Sequence, residues 1–544
     1  MHVYLRKPNV NYMNRYYALL CITILLLAGC NLKKRDRKLV VVDTTINTTT
    51  SFNNFFFDST TLVQFLASDS LNNDYAADYF DFYKQRNFQY AWFDCDGITS
   101  EAVSFIHALS NALDAEIDST LIQPETLRLM AAVQRNDRLK NLTQREQLRN
   151  ELLLTGQFFN YAKSIYKGAD VDASELGWFI PRKKIALASI LEQELDSTKN
   201  DYEPLNPQYK ALRDYLMKLL AAQKQYDWDH QPIALSATSL RKGDSADAIK
   251  AIKERLYVYG DYAANDTTPY YDTAFEAAVK RFQKRYGLTP DGVIGKTMLS
   301  ELNDSIGKRI KQIRINMERV RWMPKIEDSV YILVNIPEYR LHIFEHKKLV
   351  KDIRVIVGTT ANSTVIFSGR LKYIVFSPYW NVPSSIVQKE LLPAMQRDPN
   401  YLARNSMEVY GGTASLPMIR QKPGGSNSLG LVKFLFPNNY NIYLHDTPNR
   451  GLFNATNRSF SHGCIRVGEP AWLAQYLLRN NTAWDSTSIH NAMHQTQEKW
   501  VTLQATIPVF IGYFTAWVDQ DGKLNFRKDI YGHDKKMEAK LFYR

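Results

Sequence analysis

The spacing of apolar residues changes along the chain and separates regions of different secondary structure. From residue 59 to 235, apolar side chains recur every three or four positions, as in the stretch 152–162. Side chains with that spacing fall on one face of a helix. The pattern therefore predicts a helical scaffold domain over 59–235.

Residues 236–305 contain a second set of helical patterns, interrupted by turn residues. In the run 275–283, Phe275, Val279 and Phe282 share one predicted helix face. Gly287 is placed to end that helix, and Asp291-Gly292 has the composition of a turn. The region therefore predicts a small helical domain.

From residue 328 to 510 the pattern changes to short runs of β-branched and aromatic residues with Gly, Pro or Asn between them. Such runs predict strands of a sandwich or barrel. A helical pattern at 384–405 interrupts them, which predicts a capping insertion over about 381–430. Residues 511–544 are expected to pack back on the scaffold or on the strand-rich domain. The predicted fold class is α+β, with several domains.

Charge is concentrated at the amino terminus. Of the net charge of +12, the first 38 residues carry +7. This distribution argues against a nucleic-acid-binding surface in the body. With 45% hydrophobic and 23% charged residues, the body is typical of globular protein and excludes collagenous and disordered classes. An apolar run of roughly 18 residues, as a membrane-spanning helix needs, is missing from the sequence.

The amino-terminal stretch has the features of an export signal. Apolar residues 18–27 follow Arg15 and end in Leu27-Ala28-Gly29-Cys30. This ending resembles the bacterial lipobox, in which the cysteine is acylated. The resemblance implies a lipoprotein signal peptide over 1–29 and a periplasmic lipoprotein of the cell envelope, anchored to a membrane by lipid on Cys30. A signal anchor without lipid is the alternative. The Thr- and Asn-rich composition of 30–58 predicts a flexible tether.

Two cysteines remain in the body, Cys95 and Cys464. Exported proteins usually pair or lose their cysteines. The two thiols could form one disulfide, or one could be retained for its chemistry. Cys95 has no second cysteine or histidine close to it in sequence and is interpreted as a structural thiol.

Cys464 lies in a motif that offers such chemistry, Ser461-His462-Gly463-Cys464-Ile465-Arg466. His445 precedes Cys464 by nineteen residues and lies in a predicted strand. A thiol needs a base or a positive neighbour to become a nucleophile at neutral pH. Sheet pairing could bring His445 beside it, and backbone amides near Cys464 could stabilise an oxyanion.

These residues resemble the signature of the L,D-transpeptidase family (YkuD-type). The similarity extends over roughly 60–544 to the large, multidomain periplasmic members (YcbB-like). Thr364-Val365 departs from the usual Thr-Pro of that family, at a position expected to lie away from the chemistry. Further similar segments are Asn335-Ile336-Pro337, Pro378 to Pro383, Lys389 to Pro393 and Lys433 to Asn438. The pattern of 278–297 is similar to the three-helix peptidoglycan-binding domain. A helical spacer without glycan contact is the alternative.

The resemblance implies a role for each matching residue. Cys464 would be the nucleophile and His445 the general base, with the backbone carbonyl of Asp446 orienting the imidazole. Ser461 would be structural, and Arg466 would hold either the loop or a substrate carboxylate. His462, Gly463 and Tyr443 would line the oxyanion and substrate region. Trp380 and Asn381 would contact the donor from under the insertion, although Trp380 could equally be a core residue.

The family's reaction supplies the expected partners. A peptidoglycan tetrapeptide stem would donate its third residue to Cys464 with release of D-alanine, and a diamino acid of a second stem would accept it, forming a 3→3 cross-link. With water as acceptor, the enzyme would be an L,D-carboxypeptidase. Carbapenems would acylate Cys464. Neither a metal nor a cofactor is implied.

Other classes fit the sequence less well. In papain-like and NlpC/P60 peptidases the cysteine precedes its histidine, whereas a sortase has its histidine far upstream. His445, His462 and Cys464 could ligate zinc, but without a supporting CxxC or HExxH motif. A non-catalytic lipoprotein that binds the cell wall is the rival from a different class, and the intact motif around Cys464 argues against it.

Overall fold

The computed structural model describes residues 53, 55–114, 122–135, 137, 139–169, 171–182, 185–195, 206–228, 230–263 and 266–542. The predicted signal peptide, Cys30 and most of the predicted tether lie outside the described residues. Within the described part, no helix has the length and apolar character needed to cross a membrane. The chain divides into two units, each described by itself.

The first unit is built from helices, as the apolar spacing predicts. It contains the described residues of 1–108, 122–159 and 187–198. Phe82, Leu154 and Phe159 are buried in its core. Its elements are helices α1 (Ser59–Ser68), α2 (Ser70–Asn73), α3 (Ala76–Gln85), α4 (beginning at Ser100), α5 (Pro124–Gln134), α6 (Gln144–Ala162, to Phe159 in this unit) and α7 (Leu187–Leu195), with strands β1 (Phe93–Asp94) and β2 (Gly97–Ile98).

A buried carboxyl group organises this unit. Glu151 on α6 accepts hydrogen bonds from the backbone N–H groups of Ala91 (2.6 Å) and Trp92 (2.8 Å) and from the Tyr83 hydroxyl (2.8 Å). Burial raises the pKa of Glu151 to about 7, although these hydrogen bonds act to lower it. The group thus satisfies two backbone donors that lead into the β1–β2 hairpin.

The second unit contains a three-helix domain of α9 (Ala248–Val258), α10 (Thr273–Arg285) and α11 (Lys296–Leu302). Helices α9, α10 and α11 surround a core that includes Phe275, Val279 and Phe282, which confirms the predicted helix face. Gly287 ends α10 with a φ of +68°, and a Cβ there would lie 2.6 Å from Cδ of Arg527. The helices of this part are α8 (Pro207–Gln225), α9 (Ala248–Val258), α10 (Thr273–Arg285), α11 (Lys296–Leu302) and α12 (Ile306–Trp322), preceded by a π-helix at Lys163–Lys167.

The carboxy-terminal segment packs on several parts of the second unit. It forms a hairpin of β16 (Ala516–Val518) and β17 (Leu524–Phe526) and a last helix, α18 (His533–Phe542). Gln208 of α8 exchanges hydrogen bonds with the backbone of Val518 (2.6 and 3.0 Å). Tyr531 donates its hydroxyl to the carbonyl of Gly358 in the large sheet (2.6 Å). The segment therefore contacts both a helix of the 59–235 range and the strand-rich domain.

The strand-rich domain is a closed barrel with an added edge. Its ten-stranded sheet has the order β11-β12-β14-β6-β5-β4-β15-β7-β3, with β13 on β6, and a further β11–β7 pairing closes the ring. Closure leaves the barrel strands without unpaired edges. The strands are β3 (Trp178–Phe179), β4 (Val330–Asn335), β5 (Arg340–Glu345), β6 (Lys348–Gly358), β7 (Ile366–Phe376), β11 (Val432–Leu435), β12 (Leu444–His445), β13 (Ser459–Ser461), β14 (Ile465–Val467) and β15 (Lys499–Gly512).

The insertion combines helices with a small sheet. Its helices confirm the helical pattern at 384–405, and a core of Val382, Val387, Leu391 and Ile419 holds them to a three-stranded sheet that the sequence did not predict. Its elements are β8 (Trp380–Asn381), α13 (Ser384–Ile386), a π-helix (Val387–Leu391), α14 (Leu392–Arg397), α15 (Tyr401–Arg404), β9 (Met407–Gly412) and β10 (Pro417–Gln421).

The remaining elements of the unit are 3₁₀ turns at Ile336–Glu338 and Arg450–Asn454, α16 (Pro470–Leu478), α17 (Ser486–Met493), β16 (Ala516–Val518), β17 (Leu524–Phe526) and α18 (His533–Phe542).

Replacing Glu151 by Gln tests the buried carboxyl group. The side-chain amide of Gln has only one oxygen, so its NH₂ group would face one of the two backbone N–H donors and leave it without an acceptor. We therefore expect the free energy of unfolding of the first unit to fall by about 1–3 kcal/mol. Because the folded pKa, about 7, exceeds the ordinary 4.5, the wild-type contribution is complete below pH 4.5 and is lost as pH rises through 7. Hydrogen exchange of the 89–99 backbone across this range measures both effects.

Glu125→Gln, at an exposed position of α5, is the matched control and should leave exchange unchanged. If Glu151→Gln retains the wild-type pH profile, the buried carboxyl group does not have the role assigned to it.

Candidate active site

The pairing of two short strands places the motif residues together. β12 runs parallel to β14, with Leu444 opposite Ile465 and His445 opposite Arg466. Paired residues share a face, and alternate residues along a strand return to it. Cys464, two residues before Arg466, therefore lies diagonal to His445. Tyr443 joins the same face, and its carbonyl accepts the N–H of Ile465 (3.1 Å).

His445 is held as a neutral base. It is buried, and its Nδ1 lies 2.5 Å from the carbonyl oxygen of Asp446. That carbonyl can only accept, so Nδ1 carries the hydrogen and Nε2 has the lone pair. Burial, with the charge of Arg466, lowers the pKa of His445 to about 3. The imidazole can therefore take a proton only when a negative charge develops beside it.

The side chain of Asp446 fixes the backbone that orients His445. Its buried carboxylate accepts the N–H of Leu431 (2.9 Å) and the guanidinium of Arg450 (2.7 Å). Gly430 packs directly on it: with φ at +62°, a Cβ there would meet Cγ of Asp446 at 2.4 Å. The sequence had assigned a role only to the Asp446 carbonyl, because contacts of Gly430 and Arg450 with this side chain depend on the fold.

Cys464 rests as a thiol. Its Sγ lies 3.6 Å from the carbonyl oxygen of Asn441. Burial raises the pKa of the thiol, while hydrogen bonding to Tyr443 and the positive charge of Arg466 oppose the rise. Burial also raises the pKa of Tyr443, which keeps its hydroxyl protonated as a donor. The resting site therefore contains a neutral thiol and a neutral imidazole rather than an ion pair.

The loop that carries Cys464 is clamped from two sides. Ser461 donates its hydroxyl to the carbonyl of Cys464 (2.5 Å) and accepts the N–H of Gly463 (3.2 Å). Gly463 has a φ of +112°, in the region that favours glycine. Thr364 donates its hydroxyl to the carbonyl of Gly463 (2.8 Å). The expectation that Thr364-Val365 lies away from the chemistry is therefore wrong, because the β6–β7 loop folds back onto the motif.

The insertion contacts the motif through His462. Its Nε2 lies 3.0 Å from Oε1 of Glu390, and both side chains are exposed. Trp380 and Asn381 form β8, which pairs with β10. Trp380 is half-buried against the core of the insertion, and Asn381 is exposed. The roles predicted for His462, Gly463, Trp380, Asn381 and Arg466 toward substrate stay predictions.

Sequence reasoning missed a lysine beside the base. Lys433 on β11 pairs with His445 of β12, so both side chains lie on one face. Burial lowers the pKa of Lys433, and its Nζ lies 3.5 Å from the carbonyl oxygen of Tyr379. The segment 433–438 contributed to the family resemblance, but only the strand register shows that Lys433 adjoins the base.

Both body cysteines are free thiols, so the alternative of a Cys95–Cys464 disulfide is wrong. In the part of the chain that the structure describes, no group of three or more His, Cys, Asp or Glu side chains is arranged to hold a metal ion.

Three family models match the chain. The L,D-transpeptidase catalytic domain (YkuD) matches residues 329–500, a family described as "Scaffold domain" matches 77–216, and one described as "Putative peptidoglycan binding domain" matches 245–302. The first contains His445 and Cys464. The second falls on the helical region and the third on helices α9 to α11.

Curated relatives match over part of their length. A protein of Haemophilus influenzae named "Putative L,D-transpeptidase" is 32% identical over 242 residues, which are 42% of this chain and 49% of the relative. An uncharacterized protein of Kitasatospora aureofaciens is 37% identical over 68 residues, 12% of this chain and 58% of the relative. The chain thus spans about half the length of the curated relatives it matches.

Solved structures include similar chains at low identity. An L,D-transpeptidase (Yku) from Stackebrandtia nassauensis is 14% identical, with 52% of this chain and 98% of that chain covered and a TM-score of 0.22. An L,D-transpeptidase from Mycobacterium smegmatis is 11% identical, with 34% and 58% covered and a TM-score of 0.18. From the family matches, the chain carries a catalytic domain of the YkuD L,D-transpeptidase family, preceded by a domain of the peptidoglycan-binding family.

Proposed function

We propose that the protein is a cysteine-dependent L,D-transpeptidase that joins peptidoglycan stems by 3→3 cross-links. The observation that carries the proposal is the position of Cys464 diagonal to a neutral His445 on one face of the β12–β14 pair. This arrangement supplies a nucleophile and a base within a domain of the matching family.

The first half of the proposed reaction forms a thioester. Sγ of Cys464 attacks the carbonyl carbon of the third residue of a tetrapeptide stem, while Nε2 of His445 takes the thiol proton. The Tyr443 hydroxyl and the Arg466 charge lie on the same face and favour the sulfur anion. When the tetrahedral intermediate collapses, the C–N bond to D-alanine breaks and His445 gives its proton to the departing amine.

The second half transfers the acyl group to an amine. The side-chain amine of a diamino acid on a second stem attacks the thioester carbon, and the C–S bond breaks. His445 removes a proton from the attacking amine and returns one to the thiolate. Water in place of the amine would give the L,D-carboxypeptidase reaction.

We further propose that the protein is a lipoprotein, anchored in the cell envelope through Cys30. The support is the sequence Leu27-Ala28-Gly29-Cys30 after an apolar stretch. It comes from the sequence alone, because these residues lie outside the described part. We expect the protein to incorporate a radiolabelled fatty acid in cells, and Cys30→Ser to abolish the label. An unlabelled wild-type protein would show that Cys30 is not acylated.

The function is tested by mass spectrometry of muropeptides. We expect the purified protein to convert tetrapeptide-stem muropeptide into a dimer that is one D-alanine lighter than two monomers, and Cys464→Ala to form none. A Cys464-dependent tripeptide without dimer would assign the carboxypeptidase reaction instead. A folded wild-type protein that changes nothing would favour a wall-binding role without catalysis.

The anchoring of Asp446 predicts a second variant. Gly430→Ala forces a Cβ against the Asp446 side chain at a positive φ, so the carbonyl that orients His445 must move. A displacement of about 1 Å at a reacting group costs roughly 10²-fold in rate. We expect a loss of that size in kcat for D-alanine release, with less change in KM.

Gly451→Ala is the matched control. A Cβ at Gly451 has no heavy atom within 4 Å, and its rate should equal that of the wild type. Equal rates for all three proteins would mean that the Asp446 carbonyl does not set the geometry of the base.

A further inference from the structure

An open cleft of about 480 Å³ lies on the strand-rich domain outside the motif. One wall comes from 171–182, which includes strand β3, and the other from Tyr440 in the loop after β11. β3 pairs in parallel with the start of β7, Trp178 opposite Ile366. The cleft is lined by, among others, Asp172, Ser174, Trp178, Phe179, Arg182 and Tyr440.

The cleft lies close to Cys464 along the chain, because a residue of its wall, Tyr440, adjoins a residue that contacts the Cys464 sulfur. Tyr440 precedes Asn441, whose carbonyl oxygen lies 3.6 Å from Sγ of Cys464. Asn438 holds this loop by donating its amide to the carbonyls of Phe436 (2.7 Å) and Ile442 (2.8 Å) and accepting the N–H of Tyr440 (2.9 Å). The loop is therefore a fixed connection between the reacting sulfur and the cleft.

Two aromatic side chains are presented to solvent at the cleft. Phe179 is 42% exposed and Tyr440 is 38% exposed. Their ring centroids are 5.6 Å apart, and Phe367 supports Tyr440 from the sheet at 4.8 Å. Adjacent exposed aromatic rings on a rigid strand and a fixed loop are typical of a binding surface rather than of a random surface position.

The cleft also contains a buried donor without an acceptor. Trp178 is only 3% exposed, and among the described residues its indole N–H has no hydrogen-bond partner. Because this nitrogen is itself inaccessible to solvent, the N–H belongs to the packing of the cleft wall and not to the surface that a ligand would touch. Asp172 and the Ser174 hydroxyl, bonded to each other at 2.7 Å, add polar atoms at the rim.

The guanidinium of Arg182 is bound within the wall of the cleft. It donates to the carbonyl of Val171 (2.7 Å) and stacks on Trp322, with Cζ 4.2 Å from the ring centroid. These contacts engage the Arg182 guanidinium within the protein. Exposed aromatic faces beside a polar rim fit a ligand with an apolar face and a hydroxyl edge, as a sugar ring has.

We propose that this cleft binds an N-acetylhexosamine ring of the glycan strand whose stem reacts at Cys464. The ring would lie on Phe179 and Tyr440, with its hydroxyl groups toward the polar rim at Asp172 and Ser174. Three extended stem residues between the sugar and the reacting carbonyl span about 10 Å. The path from Cys464 to the cleft, which crosses one loop residue and the Tyr440 side chain, has a similar length. The inference rests on the proposed function, because it assumes that a peptidoglycan stem is the substrate.

The test compares two donors that differ only in the sugar. One is a tetrapeptide stem linked to its disaccharide, and the other is the same tetrapeptide without sugar. We expect the wild type to have a KM for the sugar-linked donor about tenfold lower at similar kcat for D-alanine release. Phe179→Ala should remove this difference, leave the sugar-free KM unchanged, and be rescued by Phe179→Tyr.

Leu127→Ala is the control for loss of an exposed apolar side chain outside the cleft, and it should behave as the wild type. Tyr440→Leu tests the second ring, and saturation-transfer NMR with the peptide-free disaccharide on Cys464→Ala protein tests binding without turnover.

The outcomes separate this inference from the proposed function. Release of D-alanine from the sugar-free donor supports the reaction whatever the sugar does. Equal KM values for both donors in the wild type, or no NMR transfer to the disaccharide, would overturn the saccharide site. A rise in KM for both donors in Phe179→Ala would assign the cleft to the peptide instead.

Discussion

The register of the parallel pair β12–β14, in which His445 lies opposite Arg466, determines how the base His445 is placed relative to the nucleophile Cys464. A shift of that register by one residue would turn the side chains of one strand to the opposite face. The two strands are short, so the pairing alone holds the register weakly. The contacts around it supply the restraint: Asp446 is anchored behind β12, and Thr364 and Ser461 hold the loop before β14.

The same geometry sets the electrostatics. Arg466 lies on the shared face and acts on both reacting groups, which lowers the pKa of His445 and opposes the rise in the pKa of Cys464. Burial acts on both as well and favours their neutral forms. A neutral resting pair limits thiolate chemistry before substrate arrives. Proton transfer is then coupled to attack, when the charge on the carbonyl begins to develop.

Much of the fold could be predicted because the spacing of apolar residues within short stretches indicates helices and strands. The helical scaffold, the shared face of Phe275, Val279 and Phe282, and the change to strands near 328 all depend on periodicity within short stretches. The site was predicted from the spacing of His445 and Cys464 in a known motif. Lys433, Gly430 and Thr364 could not be assigned in this way, because their roles depend on contacts across strands and loops distant in sequence. The hairpin of the insertion was missed because β9 is largely exposed and β10 is only 5 residues long, so neither has a clear alternation of apolar and polar residues.

The closure of the barrel has a consequence for how the chain folds. β4 pairs with β5 on one side and with β15 on the other, and β15 is the last of the ring strands to be synthesised. Contacts of such long sequence separation form slowly. Until 499–512 has paired, the apolar interior of the barrel is open along a full strand, so a chain that has not yet placed β15 is vulnerable to aggregation.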